Sequence, residues 1–309
     1  MKKYLAYYSL DDFVIVRELN DSEYLSYKSI REDILLFLSL EELFELVKLN
    51  IYEFWKTLVD ITEKYRLRMI LTTDEIHDPA IILNQKVANI LTSFRTYDDH
   101  IRKNLSSKYV DNGEALAFYK KECNRIYDNY FGYRFLYKLR NYVQHVSLPV
   151  HLINYNSKVV DDKILTVVDP IILKTELQNY DKWSTMTEEI NNLTEEISIK
   201  PIINEFLHAL SMLHQSIRFY FQIELSKILP KINMIIGDCD NHYKLKYGFL
   251  GRDFDLIFFI EKDDEDKIIS KIWFPRSRLT RLEKYKMHNI FNKEFVNTYS
   301  ASIDFQKKI

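Results

Sequence analysis

Glycine and proline are scarce, five and six among 309 residues. Helix and strand interiors are therefore rarely interrupted, and an all-β sandwich with many tight turns is disfavoured. No Gly-x-Gly pair occurs, so a dinucleotide fingerprint or a phosphate-cradling loop is not expected. The two cysteines, Cys123 and Cys239, lie far apart. They make neither a disulfide framework nor a metal-ligand pair, which fits a reducing compartment. No apolar run approaches the roughly 18 residues that span a bilayer, and the N-terminus reaches Asp11 and Asp12 before any long apolar stretch. A cytoplasmic protein without a membrane segment is expected. The net charge of -2 gives no global attraction to a polyanion, so any nucleic-acid site must be a local patch.

Hydrophobic residues make up 47% and charged residues 28% of the chain, as in a globular protein. Four long stretches carry one apolar stripe at helical spacing. The first opens with Ser39 and Glu42 as a capping box and continues through Leu43, Val47, Ile51, Phe54, Leu58, Ile61 and Tyr65. The second opens at Asp78-Pro79 and carries Leu83, Val87, Ile90, Phe94, Tyr97, Ile101 and Leu105. A third runs from about Glu114 to Val146, with Gly132 as a possible bend and Leu148-Pro149 as its end. The fourth starts near Pro201 and loses its pattern after about Leu229. Between the third and fourth, Val150 to Val168 reads as a β-hairpin and 170–198 as short helices. Near the C-terminus, Phe254–Ile260 and Ile268–Phe274 flank the acidic turn Lys262-Asp263-Asp264-Glu265-Asp266, a second hairpin, and a short basic helix follows over Ser277–His288.

Arg140-Asn141-Tyr142-Val143-Gln144-His145 ends the third helix. Arginine, a polar residue, three further positions and histidine form an Arg-x4-His pattern, preceded by the aromatic flank Tyr133-Arg134-Phe135-Leu136-Tyr137. On a long helix in a four-helix pattern, this motif resembles the HEPN superfamily. The resemblance extends to architecture over about residues 40–230 and to residues only at the motif. It implies an antiparallel helical bundle acting as a homodimeric, metal-independent endoribonuclease without a cofactor, of the kind found in toxins, abortive-infection proteins and other phage-defence systems. A neutralising protein partner would accompany a toxin. The family also has inactive members, so the alternative implied is a non-catalytic interaction or RNA-binding module.

The residue types suit that chemistry. RNA is cleaved when its 2′-hydroxyl attacks the adjacent phosphate. Histidine moves protons near neutral pH, and the planar, permanently charged fork of arginine matches phosphate oxygens. His145 is thus the candidate proton donor or acceptor, Arg140 the phosphate-stabilising group, and Asn141 a support one turn from His145. Five residues of ideal helix rotate about 500°, so Arg140 and His145 project some 140° apart. A long side chain, a loosened helix end or a second copy across a two-fold axis would have to close that gap.

Two further groups are candidates. Arg95, Asp98, Asp99, His100 and Arg102 form a polar set on the second helix; Arg95, Asp99 and His100 would orient the motif, or else be a salt-bridged surface. In the tail, Arg276, Arg278, Arg281 and Lys284 stand among aromatic residues with only Glu283 as a local acid, a pattern suited to an RNA backbone and unstacked bases. The expected fold is mainly α: an N-terminal arm or strand over 1–33, a HEPN-like bundle over 34–231 with a β-hairpin insert at about 150–199, and a small α/β extension with the basic helix over 232–309.

Overall fold

The computed structural model describes residues 1–9, 12–67, 73–108, 113–160, 163–248 and 256–286. For residues 67, 73–77, 108, 158–160, 163–165 and 283–286 it describes the backbone alone. Strands β1 (Lys2–Ser9) and β2 (Asp12–Leu19) lead into helices α1 (Asp21–Leu67), α2 (Thr73–Lys108), α3 (Glu114–Asn129) and α4 (Phe131–His145). Then come β3 (Leu152–Val160), β4 (Lys163–Leu173), α5 (Lys174–Gln178), a 3-10 turn (Ser184–Met186), α6 (Thr187–Asn191) and β5 (Glu196–Ser198). The long α7 (Ile199–Tyr247), β6 (Leu256–Lys262), β7 (Ile268–Phe274) and a 3-10 segment (Arg276–Lys286) complete the described chain. The protein is mostly helical with small antiparallel sheets.

Two units divide the described chain, one formed by 1–42 with the residues from 217 on, the other by 43–216. The first holds a four-stranded antiparallel sheet in the order β2-β1-β6-β7. Leu5 lies opposite Phe259, so residues from the two ends of the chain share one sheet. The face carrying Tyr7 and Phe259 packs on both long helices. Tyr7 meets Tyr243 of α7, and Phe259 meets Tyr27 of α1, at ring separations of 5.9 and 5.5 Å. Phe37 of α1 against Phe221 of α7, with Glu41 against Arg218, makes these stretches antiparallel.

Two helix limits differ from the sequence expectation. Helix α1 starts at Asp21 instead of Ser39. Asn20 Oδ1 accepts the Glu23 N–H at 2.9 Å, and Glu23 Oε2 accepts the Asn20 N–H at 3.1 Å. This reciprocal capping box satisfies two donors that the helix cannot. Ser39 lies inside the helix, its hydroxyl donating to the Leu36 carbonyl at 2.8 Å. Its resemblance to a cap came from Glu42, but Tyr24, Tyr27, Ile30, Ile34 and Phe37 are buried upstream and carry the stripe back to Asp21. Likewise α7 runs through Pro230 to Tyr247. Ile232, Ile235, Cys239 and Tyr243 are buried beyond the proline, and that packing offsets the one helix hydrogen bond a proline removes.

In the second unit, the stripe expected on α2 from Leu83 to Leu105 is buried throughout. Its helix begins at Thr73, placing Pro79 inside. Phe94 is the hub: its ring lies 5.3 Å from Tyr133 and 6.3 Å from Tyr137 of α4, and 4.9 Å from Phe206 of α7. Asn84, ten residues earlier on α2, exchanges two hydrogen bonds of 2.8 and 2.7 Å with the backbone of Val150, just past α4. These two fixed points make α2 and α4 antiparallel. Glu53 near Lys86 and Phe44 near Tyr97 give the same relation between α1 and α2.

The third expected helix is two helices, broken at Tyr130, whose backbone is extended (φ -125°, ψ 111°). Gly132 is buried just after the break. A Cβ built there would stand 2.6 Å from the Ile202 carbonyl oxygen and 3.0 Å from the Phe206 nitrogen of α7. Only glycine permits α4 to lie this close. Its N–H, one of the unpaired donors of a helix start, donates to Glu205 Oε2 at 2.8 Å.

The expected hairpin over 150–168 is present as β3–β4, extended by β5 into a three-stranded sheet. Asp161-Asp162, a turn-like pair in the sequence, lies outside the described residues, and Asn154-Tyr155-Asn156-Ser157, also turn-like, belongs to β3. The second hairpin, β6–β7, also forms; Phe254 lies outside the described residues. Short helices α5 and α6 fall where short helices were expected.

Gly132→Ala should lower unfolding free energy by about 1–3 kcal/mol, the usual cost of overpacking. Gly237→Ala, where a Cβ meets nothing within 4 Å, should instead raise it by roughly 0.5–1 kcal/mol. Urea denaturation of the two variants measures both; equal losses would show that helix–helix approach is not the constraint at Gly132.

Candidate functional site

Helix α4 buries Gly132, Tyr133, Phe135, Leu136, Leu139 and Tyr142, so its sequence places one face in the core and leaves the other outward. Phe135 and Tyr142 each stack on Trp183, with centroids 6.0 Å apart. The Trp183 indole N–H donates to the Leu177 carbonyl at 2.7 Å. Arg134 grips Glu189 through both Nε and Nη2, at 3.0 and 2.8 Å. The segment between α4 and α7 thus packs on the helix bearing Arg140–His145. The helix stops because Leu148 precedes Pro149 and is steered away from helical backbone. The last intrahelical bond near the end runs from the Val146 N–H to the Tyr142 carbonyl at 2.8 Å.

Arg140 is half-buried and His145 is exposed. Arg140 Nη1 donates to Asn141 Oδ1 at 3.3 Å, so this pair is in contact within the chain. Because α4 remains helical through His145, no loosening of its end turns Arg140 and His145 together, and the separation of about 140° stands. Asn141 and His145, four residues apart, share a face. Val146 and Leu148 are exposed beside them.

The polar set on α2 surrounds a different centre. Asp98 is 2% exposed. Its Oδ1 accepts from Arg102 Nε and from the Tyr119 hydroxyl, both at 2.8 Å, while its buried Oδ2 has no hydrogen-bond partner among the described residues. Arg95 pairs with Asp99 at 2.7 Å, and Asp99 and His100 are exposed. Since Phe94 is level with Tyr133 and Tyr137 and the helices are antiparallel, Asp99 and His145 diverge along the axes by roughly 20 Å. Asp99 and His100 are therefore not brought to His145. Burial pushes the neighbouring Cys123 thiol up to about 11, with the Asp98 charge adding, and pushes Cys239 to about 12. Both are protonated near neutrality and poor nucleophiles.

The tail arginines meet carboxylates of their own unit. Arg276 lies 3.1 Å from Asp240 of α7, and both Arg278 and Arg281 bind Glu42 of α1, the latter at 2.9 Å. Local sequence could not show this, because the acids stand 36 and more than 230 residues away. Arg281 keeps 54% of its side chain exposed. The side chain of Lys284 and all of His288 lie outside the described residues. His214 is fully buried, stacked on Phe44 at 4.1 Å and hydrogen-bonded to Tyr97 at 3.1 Å. Among the described residues no three His, Cys, Asp or Glu side chains are grouped for a metal ion, and no helix is long and apolar enough to cross a membrane.

One group escaped the sequence reading. His151 faces the Tyr142 hydroxyl through Nε2 at 3.2 Å. Its only sequence signal is a histidine six residues after His145. No protein-family model matches the chain, and no curated protein or solved structure is significantly similar to it.

Asp98→Asn weakens two charge-assisted bonds in a buried setting and should cost about 1.5–3 kcal/mol. Asp99→Asn, at an exposed pair, should cost under about 1 kcal/mol. Chemical denaturation separates these values; similar small losses would remove Asp98 as the anchor between α2 and α3.

Proposed function

We propose that this protein is a HEPN-type, metal-independent endoribonuclease acting as a homodimer through Arg140, Asn141 and His145. One observation carries the reading. Arg140 is half-buried on the helix that ends in the exposed His145, and its guanidinium donates to the neutral amide of Asn141, with no acidic partner among the described residues. Arg102, Arg134 and Arg218 are instead matched by Asp98, Glu189 and Glu41. An arginine left with its charge unmatched near a helix end, on the same helix as an exposed imidazole, suits a phosphodiester undergoing proton transfer. The Arg-x4-His spacing adds the family resemblance, and toxin or phage-defence service follows from that resemblance alone.

In the proposed reaction the RNA 2′-hydroxyl loses its proton and its oxygen attacks the neighbouring phosphorus. The bond to the 5′-oxygen breaks, and that oxygen takes up a proton. The products are a 2′,3′-cyclic phosphate and a 5′-hydroxyl. His145 moves one of these protons, Arg140 neutralises charge building on the phosphate oxygens, and Asn141 holds the guanidinium. The angular separation of Arg140 and His145 on a regular helix makes a second copy part of the site, so that one chain's arginine and its partner's histidine serve one phosphate. Exposed Val146 and Leu148 supply apolar surface beside that axis. RNA contact by Arg276, Arg278, Arg281 and Lys284 is a weaker element of the proposal, because three of these arginines already hold carboxylates.

His145→Ala and Arg140→Ala should each reduce RNA cleavage by about a hundredfold or more with unchanged folding. Arg140→Lys should not restore it, since an ammonium lacks the planar fork. Chelator should have no effect, and a 2′-deoxy substitution at the cleaved position should block the reaction. Wild-type rates in His145→Ala, or cleavage that stops with chelator and returns with a divalent metal, would refute the mechanism. Light scattering should give twice the chain mass of 37.3 kDa; a monomer with full activity would remove the shared site. Reversing the charge of Arg276, Arg278, Arg281 and Lys284 should weaken RNA binding and flatten its salt dependence. An unchanged salt slope would leave these groups a purely internal role.

A further inference from the structure

We propose that His151 is a positioning residue for the Arg140–His145 segment, a neutral imidazole that locks the last turn of α4 to the end of β4 and releases it on protonation. The argument rests on donor and acceptor chemistry. His151 Nδ1 lies 3.1 Å from the backbone nitrogen of Leu173. A backbone N–H only donates, so Nδ1 must be the unprotonated nitrogen. The ring proton therefore sits on Nε2, which faces the Tyr142 hydroxyl at 3.2 Å. Tautomer and charge state follow from the bonding itself: a doubly protonated ring has no lone pair for Leu173.

The ring is held at both ends. The His151 backbone N–H donates to the Ile171 carbonyl at 2.9 Å, placing the residue beside β4. Tyr142 is fully buried, stacked on Trp183 and edge-on to Tyr180. Since the Tyr142 carbonyl accepts the Val146 N–H, movement of Tyr142 is movement of the turn that carries His145. Protonation would set an N–H of the ring against the N–H of Leu173, two donors at one contact. The groups facing the imidazole are the Tyr142 hydroxyl from α4, the Leu173 N–H from β4 and the Glu176 carboxylate from α5.

Burial lowers the proton affinity of His151 below its ordinary value of 6.5, with Glu176 pulling the other way. The unfolded chain thus takes up the proton at higher pH than the folded one. Well above 6.5 both are neutral and the lock is intact. As pH falls through 6.5 toward the folded value, stability is lost, and below the folded value the ring is charged and the lock open.

Any effect on RNA depends on the function proposed above; the lock does not. Nuclear magnetic resonance of the full chain would follow the His151 ring nitrogens through an acid titration, with amide exchange protection of Leu173 and Val146 measured on both sides of it, corrected for intrinsic rates. Above the titration Nδ1 should be the unprotonated nitrogen. Across it, both protection factors should fall at least tenfold. In His151→Asn, whose side-chain oxygen can still accept from Leu173 and which gains no proton, both should stay within about twofold over the same range. Nδ1 protonated at high pH, or either amide indifferent to the titration of the ring, would overturn the proposal. So would an equal fall in His151→Asn. Absence of RNA cleavage at every pH, with the amide response intact, would sink the ribonuclease reading and leave the lock standing.

Discussion

The close approach of α4 to α7 at Gly132 is the constraint on which the placement of the Arg140–His145 segment rests. With no Cβ at this position the backbone of α4 lies against the Ile202 carbonyl, and the Glu205 carboxylate accepts the Gly132 N–H at the helix start. A negative group there also favours the positive end of the helix dipole. From this anchored end, the buried face through Tyr133, Leu136, Leu139 and Tyr142 carries the helix outward. Phe94 is edge-on to Tyr133 and Phe206 alike, so α2, α4 and α7 are tied at one ring. The far end is held differently, by Tyr142 among Trp183, Tyr180 and His151 and by the paired bonds of Asn84 with Val150. An exposed helix end is thus held by two attachments, which is how a side chain keeps its direction without being buried itself.

Electrostatics divides the arginines into two kinds. Most hold carboxylates: Arg218 with the 1% exposed Glu41, Arg17 with Asp238 and Glu23, and Arg134 with Glu189. Such pairs fix geometry, and the buried ones cost much if one partner is removed. Arg140 differs in being half-buried against an amide. The basic segment after β7 looks like a polyanion site in sequence, yet its three described arginines join Glu42 and Asp240. Arg278 and Arg281 share the single carboxylate of Glu42, so this segment is tied to its own unit.

Much of the helical content was legible locally, and the reasons are physical. The α2 stripe at steps of three and four is buried as expected because one face of an amphipathic helix has nowhere else to go. Both hairpins follow from short apolar runs around polar turns. Helix limits were harder. Ser39 with Glu42 and Asn20 with Glu23 are equivalent cap signals in sequence, and only the buried run from Tyr24 to Phe37 distinguishes them. The break at Tyr130 could not be read from Gly132 alone, since the same glycine fits a bend or a close contact. Of the candidate site, Arg140, Asn141 and His145 were visible as a motif. His151 was not, because its meaning depends on a Leu173 amide 22 residues away.

The sequence by itself determined that these stretches are helical though not where each begins, ends or breaks, which residue types stand at the end of α4, and the lack of any Gly-x-Gly pair, because periodicity and residue type act over a few neighbours. Tertiary structure decided which charges remain unmatched. It gave Asp98 to Arg102 and Tyr119, Glu42 to the tail arginines, and left Arg140 with Asn141. It also joined β1 to β6 across more than 240 residues. Such pairings depend on which surfaces the packed helices and strands bring within hydrogen-bond reach, and no local pattern encodes that distance.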